Sequence, residues 1–266
     1  MAIKTSAAPA KGAKKGSTAI VPWDQKFAQY AKESKEQLKN VASGGVGIKF
    51  GRGNISVGGA QIPGGKLECI ILGYCAMNAW NKDAYDPDNP QPPDCYAFSI
   101  TYGDEEMRPH EKAPMPQATS CAECEKNQFG TAITGKGKAC GNNERLGLLL
   151  SKDCEDAEDV GTAEIATAKV SPTNVKHLKA YTDMLINEHG RPTWAAITEI
   201  SSYDDPKTQI RLEFKLVDLI TDEAMLTALE KRQESIQDTV QAPFQAAAER
   251  PKPAAKNAKF AGRGRR

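Results

Sequence analysis

Seven cysteines, at positions 69, 75, 95, 121, 124, 140 and 154, are the residues best suited to chemistry in this 266-residue chain. Cys121 and Cys124 form a Cys-x-x-Cys pair, which sets two thiolates one turn apart where both can bind one metal ion while backbone amides soften their charge. Fifteen residues intervene before Cys140, and twenty-five separate Cys95 from Cys121. Four thiolates closing a tetrahedron around Zn²⁺ is the economical arrangement for such a set in a reducing compartment. The stretch CAECEKNQFGTAITGKGKAC has few apolar residues with which to hold its own shape, so ligation would supply its fold. The preferred ligands are Cys95, Cys121, Cys124 and Cys140, with His110 able to replace Cys95. Cys69 and Cys75 sit in an apolar run and read as buried free cysteines. Cys154, in the acidic turn CEDAEDV, reads as an exposed spare, and His177 and His189 as surface or partly packed helix residues.

Other chemistries fit the same stretch less well. A redox Cys-x-x-Cys opens a helix after a strand in a βαβ unit, and no such pattern surrounds this one. Gly135-Lys136-Gly137-Lys138 is followed by Ala139, where a phosphate-binding Walker loop needs Ser or Thr. A zinc deaminase would need His-x-Glu with Pro-Cys-x-x-Cys, which is absent. A closed four-cysteine site leaves no coordination position for an activated water. The chain is therefore expected to bind rather than catalyse.

The elements that must position these cysteines are mostly strands. Val46, Ile48 and Phe50 alternate with polar or small residues, and NISVGG follows across a Gly-Arg-Gly turn. KLECIILGYCAMNAW, residues 66–80, predicts one long bent strand buried on both faces with a bulge at Gly73. Four prolines in DPDNPQPPDC break regular structure before the cysteine stretch, and RLGLLL resumes a strand after it. AEIATAKV predicts another strand, ending at Ser171-Pro172, a helix-start signal; that helix carries Val175, Leu178, Tyr181 and Leu185 on one stripe and stops at Gly190. TWAAITEISSY and TQIRLEFKLVDLI predict a hairpin joined by DDPK, and Thr221 a cap for a last helix. Near the N-terminus, Asp24 could cap a further helix. The order fits a mainly β (α+β) domain: a five-stranded OB-like Greek-key barrel over residues 21–242, with a zinc-ribbon insertion at 81–145, flanking helices and disordered tails at 1–20 and 243–266. An α+β sandwich is the competing architecture.

Charge is unevenly spread. The first sixteen residues carry +4 and residues 249–266 carry +6, leaving −9 for residues 17–248 of the net +1. An acidic body with basic arms suggests nucleic acid as a partner. No run of about 18 apolar residues is present and the N-terminus lacks the apolar stretch of a secretion signal, so no membrane partner and a cytoplasmic location are expected.

The stretch PPDCYAFS…SCAECEKNQFGTAITGKGKACGNNERLGLL resembles a cysteine pattern of phage-encoded proteins, and in function the chain is most similar to phage single-stranded-DNA-binding proteins built on an OB barrel with an inserted zinc ribbon. The cysteine motif covers about sixty residues, and the barrel resemblance over Val46–Ile220 is a looser topological one. The resemblance implies Cys95, Cys121, Cys124 and Cys140 as zinc ligands, a role in phage DNA replication, recombination or repair, and the bacterial host's cytoplasm. One departure stands out: such proteins usually end in an acidic tail that recruits replication enzymes, whereas AKFAGRGRR is basic. Single strands are held by cationic grooves and aromatic platforms. The candidates are Lys49, Arg52, Tyr74, Trp80, Tyr96, Phe98, Phe129, Lys136, Lys138 and Arg145, with DNA or RNA as ligand. The alternative function is a zinc-ribbon interaction module, such as a phage transcription or virion accessory factor that docks on replication or transcription proteins.

Overall fold

The computed structural model describes residues 46–83, 92–101 and 105–244. The helix expected after Asp24, the basic N-terminal tail and the basic segment 249–266 lie outside the described residues. Nine strands form one sheet: β1 (Gly47–Gly51), β2 (Asn54–Val57), β3 (Ala60–Ile62), β4 (Lys66–Trp80), β5 (Cys95–Ser99), β6 (Gly141–Leu150), β7 (Ala166–Val170), β8 (Ala196–Asp205) and β9 (Gln209–Leu219). Their order is β3-β2-β1-β7-β6-β4-β8-β9, with β5 paired to β4 alone. All the pairings are antiparallel except β1 with β7.

The sheet curls. Ser202 on β8 donates to the Gly51 carbonyl at 2.5 Å, and Arg52 lies 3.8 Å from Asp204, so the β1–β2 hairpin comes round to β8. The result is a mainly β domain, an open half-barrel with helices.

Long, curved β4 is the spine of this sheet, pairing with β8 at its start and with β6 and β5 toward its end. Leu67, Cys69 and Ile71 face one side and Ile70 and Leu72 the other. The register then slips between Ile71 and Gly73, so Tyr74 rejoins the first side and Cys75 the second. The bulge falls at the glycine that the sequence marks, and it bends the strand while keeping both faces apolar.

Each face is covered by helices. Helix α2 (Pro172–His189) lays Leu178, Tyr181 and Leu185 against Ile71, Leu146, Leu148 and Ile200. Gly190 ends it in the left-handed conformation at φ 62°, with its N–H bonded to the Ile186 carbonyl. Asn174, buried in the first turn, accepts from the Leu212 N–H at 2.8 Å and donates to the Ile210 carbonyl at 2.9 Å. One side-chain amide thus satisfies the outer edge of β9, where a closed barrel would need another strand.

The opposite face packs under α1 (Ala157–Thr162), α3 (Glu223–Glu234) and α4 (Ile236–Val240), through Val160, Leu229, Ile236 and Val240. Two expectations are corrected here. Asp222, rather than Thr221, caps α3 by accepting from the Met225 N–H, and the last helix breaks at Ser235 into two. CEDAEDV is the start of α1: the Asp156 carboxylate accepts from the Glu158 and Asp159 N–H groups, which turns the acids outward and leaves Cys154 inside, only 5% exposed.

Candidate metal centre and nucleic-acid interface

The end of β4 is flanked on both sides, and this brings distant cysteines together. Trp80 pairs with Cys95 at the start of β5, while Ala79 pairs with Gly141, the residue after Cys140, at the start of β6. Two cysteines 45 positions apart in sequence therefore sit on either side of one strand end. The Cys121–Cys124 turn closes over them, with the Cys121 N–H donating to the Met107 carbonyl at 2.8 Å and the Cys140 N–H to the Lys126 carbonyl at 2.7 Å. All four cysteines are buried, unpaired by disulfides, and line a single cavity with Asn78, Trp80, Gln117 and Lys126.

The four thiols feel one another. Burial pushes Cys140 up to about 12, and negative charge on Cys121, Cys95 or Cys124 would push it further. Burial likewise raises Cys121, with Cys95 and Cys124 adding to it, and raises Cys95, which also senses Cys124. Burial without a cation therefore favours the neutral thiol at Cys95, Cys121 and Cys140. Among the described residues, no group of three or more His, Cys, Asp and Glu side chains is placed so that it could hold a metal ion. In donor chemistry alone the four side chains suit a thiophilic ion: they are soft sulfur only, on a loop with little core of its own.

His110 is not among the cavity-lining residues; its Nδ1 accepts from the Lys112 N–H, and its ring stacks on Tyr96. Cys69 is enclosed in the α2-side core, Cys75 donates to the Val240 carbonyl at 3.2 Å, and Cys154 packs with Val160 and Leu229. None of these three lines the cavity.

Asparagines bind the cysteine loop to the sheet. Asn142 on β6 donates through Nδ2 to Asn78 on β4 and, at 3.0 Å, to Oδ1 of Asn127 in the loop. Asn127 in turn donates to the Cys121 carbonyl at 2.8 Å and accepts from Lys138 at 3.3 Å. Residue order barely signals this ladder. Its only trace is the Asn142-Asn143 pair directly after Cys140, polar residues where a strand disfavours them.

The candidate nucleic-acid residues fall into separate groups. Tyr96 is 1% exposed and Phe98 half-buried, and both pack on Phe244, which is followed by the C-terminal segment outside the described residues. Arg145 lies over Phe98 and Phe244 and donates to the Ala242 carbonyl at 2.6 Å, so its fork is engaged within the chain. Tyr74 packs against the α2-side core, and Trp80 lines the cysteine cavity. Lys49 and Arg52 are exposed on the β1–β2 hairpin, beside the far end of β8. On the cysteine loop Phe129 is 80% exposed, Lys138 covers one face of its ring at 5.2 Å, and Lys136 is exposed.

No protein-family model, curated protein or solved structure matches the chain. No helix among the described residues is long and apolar enough to cross a membrane.

Proposed function

We propose that this chain is a non-enzymatic, sequence-tolerant single-stranded-nucleic-acid-binding protein, with an OB-type barrel as its body and a zinc-pinned cysteine finger as its insertion. The observation that carries the reading is the strand path β7-β6-β4-β8-β9 with α2 connecting β7 to β8. An OB barrel has this order, with a bent first strand shared between its second and fourth strands and a helix between its third and fourth. In that frame β4 is the first barrel strand and the cysteine stretch lies in the connection to the second, one of the two loops with which OB folds grip oligonucleotides. The β8–β9 turn is the other, with Arg52 beside it. The β1–β2 hairpin pairs with β7, the third barrel strand in that frame, and reaches β8, the fourth.

Zn²⁺ would be held by Cys95, Cys121, Cys124 and Cys140. Bound there, it would supply fold to the finger and, with all four positions taken by sulfur, no catalytic water. The residues' own part is to keep the finger joined to β4 and β6 through the asparagine ladder. Phage DNA replication, recombination or repair, in the cytoplasm of a bacterial host, is the setting this reading favours.

The test is a fluorescence-polarisation titration of the full chain with a ~30-nucleotide strand, a few OB footprints long, at two salt concentrations. Salt-dependent binding that varies little with sequence is expected, and absence of binding at low salt sinks the proposal. Metal analysis of the same preparation should give about one zinc per chain; under about half an equivalent refutes the four-cysteine site.

A further inference from the structure

The cysteine loop is a finger with its own internal scaffold. The Gly130 and Ala132 N–H groups both donate to the Gly137 carbonyl, and Gly135 donates back to Ala132. Thr131 bonds through Oγ1 to the Gln128 carbonyl at 2.7 Å and accepts from the Ala139 N–H at 3.0 Å. Gly130 and Gly135 take positive φ values of 90° and 71°, which lets the chain reverse in so few residues. The tip is consequently shaped by hydrogen bonds and has no core.

That scaffold presents apolar groups to water. Phe129 is 80% exposed and Ile133 fully so, at 104%. Scattered exposed apolar residues are ordinary. These two, however, sit four positions apart on one pinned tip, and Lys138 holds the Phe129 ring from one side while its other side stays open. The local charge is also distinctive: residues 126–140 contain three lysines and no acid, on a body whose net charge is strongly negative. An open aromatic face with a lysine on its other side, on a loop that carries cations and no acid, suits an anionic ligand with planar apolar parts.

We infer that the finger tip is a base-stacking site, where one unpaired base of a single strand lies on the open face of Phe129 while Lys136 and Lys138 meet the adjoining phosphates. This rests on the single-strand reading and assigns its principal aromatic contact to the finger, since Tyr96 and Phe98 are committed to Phe244. Stacking on a ring tolerates any base, which matches a sequence-tolerant binder.

The experiment uses the full chain, a labelled 30-nucleotide oligo(dT) and a matched duplex, with variants Phe129→Ala, Phe129→Trp and Lys136→Ala. Because the Phe129 ring is exposed, Phe129→Ala should keep the wild-type melting temperature while binding weakens about 5- to 150-fold. Phe129→Trp should retain affinity and show fluorescence quenching on oligo(dT). Lys136→Ala should lower the salt slope by about one. If wild type binds and Phe129→Ala matches it within about twofold, or the new tryptophan is not quenched, the stacking site is refuted and single-strand binding stands. Equal affinity for duplex also refutes it. If wild type binds no strand at all, the single-strand reading fails and this site fails with it.

Discussion

Helix α4 reaches the sheet through a notch made by two facing glycines, and filling that notch tests how the second core is built. Gly73 on β4 and Gly147 on β6 are register partners. A Cβ on Gly147 would lie 2.5 Å from Cδ1 of Ile236 and 3.0 Å from Cγ1 of Val240, while one on Gly73 would lie 2.8 Å from Cγ2 of Ile236. Neither glycine has a positive φ, so an alanine there meets a packing obstacle and no backbone strain. Ile236 and Val240 are both fully buried, so a shift of either must be taken up within the core. Overpacking of this kind costs about 1–3 kcal/mol. For a domain of this size that is roughly 2–4 °C of melting temperature per kcal/mol. Gly147→Ala should therefore lower the urea midpoint without changing the slope.

Ile236→Val removes the nearest clashing carbon and alone should cost about 0.5–1.5 kcal/mol. Combined, the two changes should cost less than their sum by about 0.5 kcal/mol or more, because each relieves the other. Strict additivity, or a Gly147→Ala variant as stable as wild type, would refute the notch.

Two further outcomes follow from buried polar groups. Glu144 is 8% exposed, its Oε2 has no hydrogen-bond partner among the described residues, and burial pushes its carboxyl up to about 7. A carboxyl whose folded value is raised stabilises the fold fully below its unfolded value near 4.5, and this contribution is lost as pH rises to about 7. Glu144→Gln should thus behave like wild type at pH 4 and gain up to about 3 kcal/mol at pH 8, read from urea midpoints across pH. An equal effect at both pH values would show that Glu144 stays charged. Asn174→Ala strips both bonds from the β9 edge and leaves the Leu212 N–H buried without a partner, costing about 2–4 kcal/mol. Hydrogen exchange at Leu212 should then speed up more than at β4; uniform acceleration would mean that the edge is held by something else.

Much of this architecture is legible in residue order, for reasons that are local. Apolar alternation predicts β9, with Leu212 inward and Arg211 and Lys215 outward. An unbroken apolar run predicts β4, and its glycine predicts the bulge. Ser171-Pro172 and Gly190 bound α2 because the geometry of helix ends depends on those residues themselves. CEDAEDV was misleading because a carboxylate-capped helix start and an acidic turn have the same composition; only packing against α3 and the sheet shows that Cys154 faces inward.

What the sequence by itself determines here is a set of periods, stops and residue types: strands, one well-bounded helix, and the spacing of the cysteines. Partnership across the sheet is decided by the tertiary structure, because strand pairing depends on which surfaces meet and not on any single segment. Trp80 and Gly141 carry no mark that they will set Cys95 and Cys140 beside the same strand end. Phe129 is marked as the more open ring by the scarcity of apolar residues around it, but that Tyr96 and Phe98 are enclosed with Phe244 is settled only by the assembled fold. Burial is a property of the assembled surface, and it is burial that left one ring of the finger free.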